Sequence, residues 1–228
     1  MMSGASIIVL TTLLPCIFFI WLLNYLVRLK KVPRILLFKL FAAGMVTPLI
    51  AVILEGILMP LISVLPQALQ NPAEAFIGIA VPEEAVKFAA LLLTVRRRRE
   101  FGTVHDGAVY GISLGMGFAL LENILYVIGS DTPMATALMR GVSAIPLHAL
   151  VGAFIGLMYA RYRIKAAGSL SLAYLIAVAI HGSYDLILIS RKIPNFLILP
   201  LLIVGWWFLI RYLNRVGADK ELSEPHFP

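Results

Sequence analysis

Ionisable side chains occur in four places inside segments that are otherwise apolar enough to cross a lipid bilayer. They are Glu83, Glu84 and Lys87; Glu122 with its neighbour Asn123; His148; and His181 with Asp185. Charged residues at membrane depth are costly and persist mainly where they face a protein interior and serve a function. Carboxylates and imidazoles together supply the bases, proton donors and metal ligands that hydrolysis requires.

The spacing of these residues places several of them on shared helix faces. Lys87 follows Glu83 by four residues and Glu84 by three, so on a helix its ammonium group reaches either carboxylate. His181 and Asp185 are also four residues apart and share a face. The sequence therefore predicts that each pair acts as a local unit.

The composition is that of a polytopic membrane protein. Of the 228 residues, 61% are hydrophobic and 14% are charged, whereas a soluble domain is about half apolar and a quarter charged. The single cysteine, Cys16, excludes an intramolecular disulfide and a metal–thiolate motif. The net charge of +7 comes from bases that flank the apolar segments. We attribute this charge to topology and lipid headgroups, and we expect no nucleic-acid partner.

The apolar runs predict an all-α fold with about seven transmembrane helices. They lie near residues 5–27, 40–64, 75–95, 105–128, 140–160, 169–190 and 194–213. We expect one membrane domain over residues 1–220, with a catalytic core at about 75–190, followed by a short polar tail at 221–228. No Lys or Arg precedes the first run, so it is predicted to be a retained anchor and not a cleaved signal peptide.

The positions of the basic residues predict the orientation. Most of the 19 Lys and Arg residues lie in the odd-numbered connections or after the last span, and only Arg191 and Lys192 lie between spans on the opposite side. The positive-inside rule then puts the N-terminus outside and the C-terminus in the cytoplasm. We separately expect the chain to lie in a bacterial-type plasma membrane. At about 1.5 Å per residue, the ionisable groups of four helices fall roughly 8–14 Å below the outer helix ends. They should meet in the outer half of the membrane.

Small residues and prolines support this convergence. Gly107, Gly111 and Gly115 recur at four-residue intervals, and Gly152 and Gly156 follow His148 at the same interval. Glycines permit close approach of helices, so we expect the faces of Glu122 and His148 to point into the bundle. Pro82 and Pro146 come just before Glu83 and His148, where a kink would widen a cavity.

The predicted layer contains more acids than bases. The only bases predicted at this depth are Lys87 and Arg140, against five acidic residues: Glu55, Glu83, Glu84, Glu122 and Asp185. Uncompensated carboxylates do not stay ionised at low dielectric. Some are therefore protonated, or a cation is bound, or a histidine is charged. Glu55 matches no motif and is interpreted as a structural partner of Arg140 or Lys87.

The residue types favour direct attack by water over an acyl-enzyme. The sequence offers no Ser–His–Asp or Cys–His arrangement and no HExxH motif. We expect Glu83 to be the general base and Glu84, held by Lys87, to orient it, although these two roles are exchangeable. The metal-dependent version places zinc or a similar divalent ion on Glu122, His148, His181 and Asp185. The metal-free version lets the histidines stabilise the oxyanion or carry protons, with Asp185 orienting His181.

Other functions use the same residue types. An ion- or proton-coupled transporter would employ the acids and histidines as a relay. A non-catalytic membrane scaffold would use them only to hold helices together. The chain has no convincing internal repeat, so the inverted-repeat architecture of many transporters has no support.

The motif residues resemble those of the PrsW family of intramembrane proteases. Glu83-Glu84-Ala-Val-Lys87 resembles its EExxK motif, Phe118-Ala-Leu-Leu-Glu122-Asn123 its FxxxEN motif, and His181-Gly-Ser-Tyr-Asp185 its HxxxD motif. His148 occupies the intervening histidine-bearing helix, and the ordered match runs from about residue 80 to 190. The family is distantly similar to the CAAX prenyl endopeptidases and bacteriocin-processing proteins.

The resemblance implies peptide-bond hydrolysis, and the residues we expect to be catalytic are Glu83, Glu84, Lys87, Glu122, Asn123, His148, His181 and Asp185. It also implies a membrane-anchored substrate, an anti-sigma factor in the founding branch, that is first cut on the extracytoplasmic side. The predicted depth of the ionisable layer agrees with a cut near the outer membrane boundary.

Overall fold

The computed structural model describes residues 17, 21, 32–97, 103–164, 169–190 and 192–218. Within these ranges the chain is helical and has no β-strand. The predicted tail at 221–228, Cys16 and nearly all of the predicted first span at 5–27 lie outside the described residues.

The helices follow one another with short connections. They are α1 (Arg34–Ser63), α2 (Gln67–Ala73), a π-helix (Glu74–Ala80), α3 (Val81–Val95), α4 (Val104–Ile128), α5 (Pro133–Val142), α6 (Ala144–Arg163), α7 (Leu170–Ile189), a 3₁₀ turn (Asn195–Leu197) and α8 (Ile198–Ala218). This succession confirms the predicted all-α class.

Five helical stretches among the described residues are long and apolar enough to cross a membrane. They are Arg34–Ser63, Val104–Ile128, Pro133–Arg163, Leu170–Ile189 and Asn195–Arg215. Each coincides with a predicted span, so the polytopic membrane fold is confirmed. The predicted span at 75–95 is also helical but is not among the five, and it contains three charged residues. The total of seven spans and the orientation stay predictions.

A π-helix leads directly into the helix that carries the EExxK residues. Glu74–Ala80 has π geometry, and Pro82 lies in the first turn of α3. Proline has no backbone N–H and disturbs the regular hydrogen bonds of the preceding turn, which is where π and kinked segments form. The predicted distortion before Glu83 is therefore present as a widened helical turn, a form that is frequent at functional sites.

Glycines bring α4 and α6 into direct backbone contact. Gly107 faces Gly156, Gly111 faces Gly152, and Gly115 faces the α6 backbone one turn further along. A Cβ atom at any of these positions would overlap a carbonyl oxygen of the other helix. The predicted close approach is confirmed, and it turns the face of α4 that carries Glu122 toward α6.

Gly111→Ala should therefore destabilise the fold, because its added methyl would overlap the Gly152 carbonyl oxygen. Forcing extra volume into a packed contact costs about 1–3 kcal/mol, so thermal unfolding in detergent should begin at a lower temperature. Gly56→Ala on α1 is the matched control, because a Cβ there meets no atom within 4 Å. Equal unfolding temperatures for the two variants would contradict this account of the contact.

Candidate active site

The α3 helix contributes two carboxylates and an ammonium group that pair with one another. The Nζ atom of Lys87 lies 2.7 Å from Oε1 of Glu84 and 3.1 Å from Oε2 of Glu83. Lys87 and Glu84 are almost fully buried, and Glu83 is 5% exposed. The i,i+3 and i,i+4 pairs predicted from the spacing are thus confirmed.

The α4 and α6 helices meet through a carboxylate and an imidazole. Oε2 of Glu122 lies 2.7 Å from Nε2 of His148. The other ring nitrogen of His148, Nδ1, lies 3.1 Å from Nζ of Lys87. An ammonium group only donates hydrogen bonds, so Nδ1 accepts one and Nε2–H donates to Glu122. This arrangement fixes the tautomer of His148, and the lone pair of its Nδ1 accepts the hydrogen bond from Lys87.

Arg140 holds the two polar residues of the FxxxEN motif. Its Nη2 lies 2.7 Å from Oε1 of Glu122, and its Nε donates to Oδ1 of Asn123 at 2.8 Å. The guanidinium also packs over the ring of Tyr126, 3.8 Å from its centroid. The sequence analysis counted Arg140 among the bases of the predicted layer but paired it only with Glu55, and its membership of that layer was the signal that it belongs to the site.

His181 on α7 completes the network. Its Nδ1 lies 2.6 Å from Oε1 of Glu84, and its Nε2 lies 3.2 Å from Oδ2 of Asp185. Oε2 of Glu83 is 3.7 Å from the same Nε2. The His148 and His181 rings are edge to face, with their centroids 5.2 Å apart.

All of the predicted site residues are buried, and hydrogen bonds or ion pairs join them into one network. They are Glu83, Glu84, Lys87, Glu122, Asn123, His148, His181 and Asp185. The contacts confirm that α3, α4, α6 and α7 deliver their polar groups to one place. The roles of the individual residues in a reaction stay predictions.

Four of these side chains form a cluster that suits a metal ion. One donor atom from each of Glu83, Glu84, His148 and His181 lies within 4.8 Å of the others. Carboxylate oxygens and imidazole nitrogens are ligands that zinc accepts. Oε2 of Glu84 is buried without a hydrogen-bond partner, as expected of an atom reserved for a ligand.

The clustered donors differ in part from the predicted ligand set. The two histidines are common to both sets, and the two α3 carboxylates replace Glu122 and Asp185. Glu122 and Asp185 each contact the far nitrogen of one imidazole. Carboxylates in that position orient metal-binding histidines.

A cavity of about 310 Å³ opens beside the network. Its walls are Pro48, Ala51, Val52, Glu55, Glu83, Phe118, Glu122, Leu125, Tyr126 and Gly129. Glu83 therefore belongs both to the buried cluster and to the cavity wall. The interpretation of Glu55 as a partner of Arg140 or Lys87 was wrong. Those two cations pair with other acids, and no ion pair among the described residues includes Glu55.

Comparison with known proteins identifies the family. Residues 32–213 match the family model described as PrsW family intramembrane metalloprotease. The chain is 34% identical to Protease PrsW of Bacillus subtilis (strain 168) over 153 residues, which is 65% of this chain and 69% of that protein. It is 31% identical to Protease PrsW of Oceanobacillus iheyensis over 66% of this chain and 70% of the relative.

Coverage is greater for a more distant relative. Protease PrsW of Clostridioides difficile (strain 630) is 26% identical over 204 residues, which is 82% of this chain and 84% of that protein. No solved structure matches the chain significantly. The chain therefore belongs to the PrsW family of intramembrane metalloproteases and is a multi-pass peptidase of a bacterial membrane.

Proposed function

We propose that the chain cleaves a membrane-anchored protein by direct attack of water on a peptide bond, at the network around Glu83 and Glu84. The observation that carries this proposal is the position of Glu83. Its carboxylate belongs to the buried cluster and also lines the cavity, so it reaches both the polar network and a substrate. A general base must lie within hydrogen-bond reach of the proton that it removes.

The surroundings of the two glutamates support different roles for them. Both Lys87 and His181 contact the same oxygen of Glu84, which is fully buried and therefore held in one position. Glu83 has a longer contact with Lys87 and faces the cavity. We assign the general base to Glu83 and the orienting role to Glu84.

The remaining residues of the network position the two imidazoles. Arg140 and Asn123 hold Glu122, and Glu122 in turn holds Nε2 of His148. Oδ2 of Asp185 lies 3.2 Å from Nε2 of His181, as an ion pair without hydrogen-bond geometry. If no metal takes part, we assign the histidines to proton transfer, because Nε2–H of His148 already donates to Glu122 and both ring nitrogens of His181 contact carboxylates.

We further propose that the cluster of Glu83, Glu84, His148 and His181 holds a divalent metal ion such as zinc. A bound zinc would polarise the substrate carbonyl and lower the pKa of a water. In this version Glu83 would bind the ion, so its assignment as the general base belongs to the metal-free version, and Glu122 and Asp185 act on the histidines from outside the cluster. The ammonium group of Lys87 contacts three of the four clustered side chains, so a bound ion would have to displace it from Nδ1 of His148.

We propose that the substrate is an anti-sigma factor with one membrane span, cut near its outer membrane boundary. Glu122 lies six residues before the end of α4, and His181 lies eight residues before the end of α7. These separations correspond to about 9 and 12 Å along the helices. With the predicted orientation both ends face the exterior, so the network is close to the outer surface.

A metal-removal experiment tests both parts of this proposal. Purified protein in lipid vesicles should cleave a tagged single-span anti-sigma reporter, lose this activity in excess chelator, and regain it when zinc is added. Metal analysis should find the ion in the wild type and a large decrease in His181→Ala, because a ligand has been removed. Full activity in metal-free protein would leave only the metal-free glutamate version. A wild type that never cleaves the reporter would contradict the proposed substrate.

A further inference from the structure

We infer that the cavity between α1 and α4 receives the substrate chain and that Glu55 selects a Lys or Arg side chain of the substrate. This inference rests on the proposed protease function and adds the chemistry of substrate recognition. It concerns a residue outside the motifs and outside the buried network.

The position of the cavity suits a substrate that arrives from the membrane. Val52 on α1 is 56% exposed, and Leu125 and Tyr126 on α4 are 41% and 51% exposed, so the cavity opens at the surface of the helix bundle between these helices. The inner end of the cavity reaches Glu83. Its volume of about 310 Å³ is at the lower end of ordinary ligand pockets, roughly 300–1,000 Å³. A short piece of unwound chain with its side chains fits such a space.

The charges around the cavity single out Glu55. The other two carboxylates in its wall are compensated, because Glu83 pairs with Lys87 and Glu122 pairs with Arg140. No hydrogen bond or ion pair of the described residues compensates Glu55. An ionised carboxylate covered by an apolar substrate would lose its hydration without gaining a partner. A substrate that supplies a cation removes this penalty, whereas one that supplies an acid increases it.

The depth of Glu55 agrees with this role. It lies eight residues before the end of α1, which corresponds to about 12 Å along the helix, close to the depth of Glu122 and His181. Long basic side chains near the end of a membrane span extend along apolar surface and place only the charged head in a polar site. A Lys or Arg in the outer part of the substrate span is therefore the group we expect Glu55 to bind.

Reporter cleavage tests the selection. The substrates are single-span reporters that carry Lys, Met or Glu at each position near the outer boundary. Their cleavage rates are measured with the wild type, Glu55→Gln, Glu55→Lys and a control, Glu74→Gln. The control replaces a half-buried acid outside the cavity. At the best position we expect the wild type to prefer Lys over Met by at least about tenfold, as for a desolvated charge pair. Glu55→Gln should remove this preference, Glu55→Lys should favour the Glu reporter, and Glu74→Gln should behave as wild type. Equal loss on the Lys and Met reporters, or an unchanged preference in Glu55→Gln, would overturn the inference.

Cross-linking tests occupancy of the cavity without requiring cleavage. A photoreactive amino acid would replace Val52 or its neighbour Ile53 in Glu83→Gln protein. Both residues are exposed, at 56% and 65%, but only Val52 lines the cavity. We expect the Lys reporter to cross-link from position 52 and not from 53, and the yield to fall when Glu55→Gln is added. Equal yields at both positions, or none at 52, would overturn the inference. Cross-linking at 52 without cleavage by the wild type would instead count against the proposed function.

Discussion

Glu83→Gln should remove proteolytic activity while the protein stays folded. Glutamine keeps the size of the side chain but does not accept a proton from water, and loss of a general base typically lowers the rate by about 10²–10⁴-fold. Glu84 remains beside Lys87 at 2.7 Å, so the buried ammonium keeps a carboxylate partner. The initial rate of reporter cleavage measures the first effect, and thermal unfolding in detergent measures the second.

The companion variant decides which glutamate is the base. Glu84→Gln removes the carboxylate that both Lys87 and His181 contact, so it should lower stability as well as activity. A Glu83→Gln protein that keeps more than a tenth of the wild-type rate would contradict the assignment. If, in addition, Glu84→Gln were inactive yet fully stable, the two roles would be exchanged.

Lys87→Met should have the largest effect on stability. The ammonium contacts Glu83, Glu84 and His148 and packs 3.7 Å from the centroid of the Phe118 ring. Methionine has a similar length and no charge, so two carboxylates would remain buried without their cation. Breaking a buried ion pair from one side typically costs about 3–5 kcal/mol. We expect a large fall in the unfolding temperature and in the yield of folded protein.

The control for this variant is Lys39→Met on α1. Lys39 is exposed, and exposed charges contribute at most about 1 kcal/mol through ion pairs, so its removal should leave the unfolding temperature nearly unchanged. Adding Glu83→Gln to Lys87→Met should recover part of the lost stability, because one uncompensated carboxylate is removed. Unchanged stability of Lys87→Met would show that another cation neutralises the α3 carboxylates.

Local spacing predicted much of the site because helix geometry is regular. The pairing of Lys87 with Glu83 and Glu84 and that of His181 with Asp185 follow from residues three or four positions apart. The meeting of different helices followed from their alternating direction and from the cost of exposing charge to lipid. Family membership establishes the peptidase, and no observation supports the transporter alternative.

Other contacts depended on features that spacing does not encode. Arg140 reaches Asn123 across a loop, and the predicted span at 140–160 is divided between α5 and α6 at Ser143. Hydrophobicity alone does not reveal that break. Glu55 was assigned a structural partner because its charge was counted without its direction; in the structure it faces the cavity. The sequence likewise did not show that Glu83 and Glu84, and not Glu122 and Asp185, cluster with the histidines as possible metal ligands.

The glycine contact between α4 and α6 limits which substitutions related proteins can accept in the site. Touching backbones leave no side chain with an alternative rotamer, so these two helices move as one body. In the site, α3 contacts α6 through Lys87 and His148, and it contacts α7 through Glu84 and His181. The contacts among the proposed catalytic residues thus also hold the helices together. A pseudoenzyme could not simply discard its charged residues; it would first need an apolar core between α3, α6 and α7.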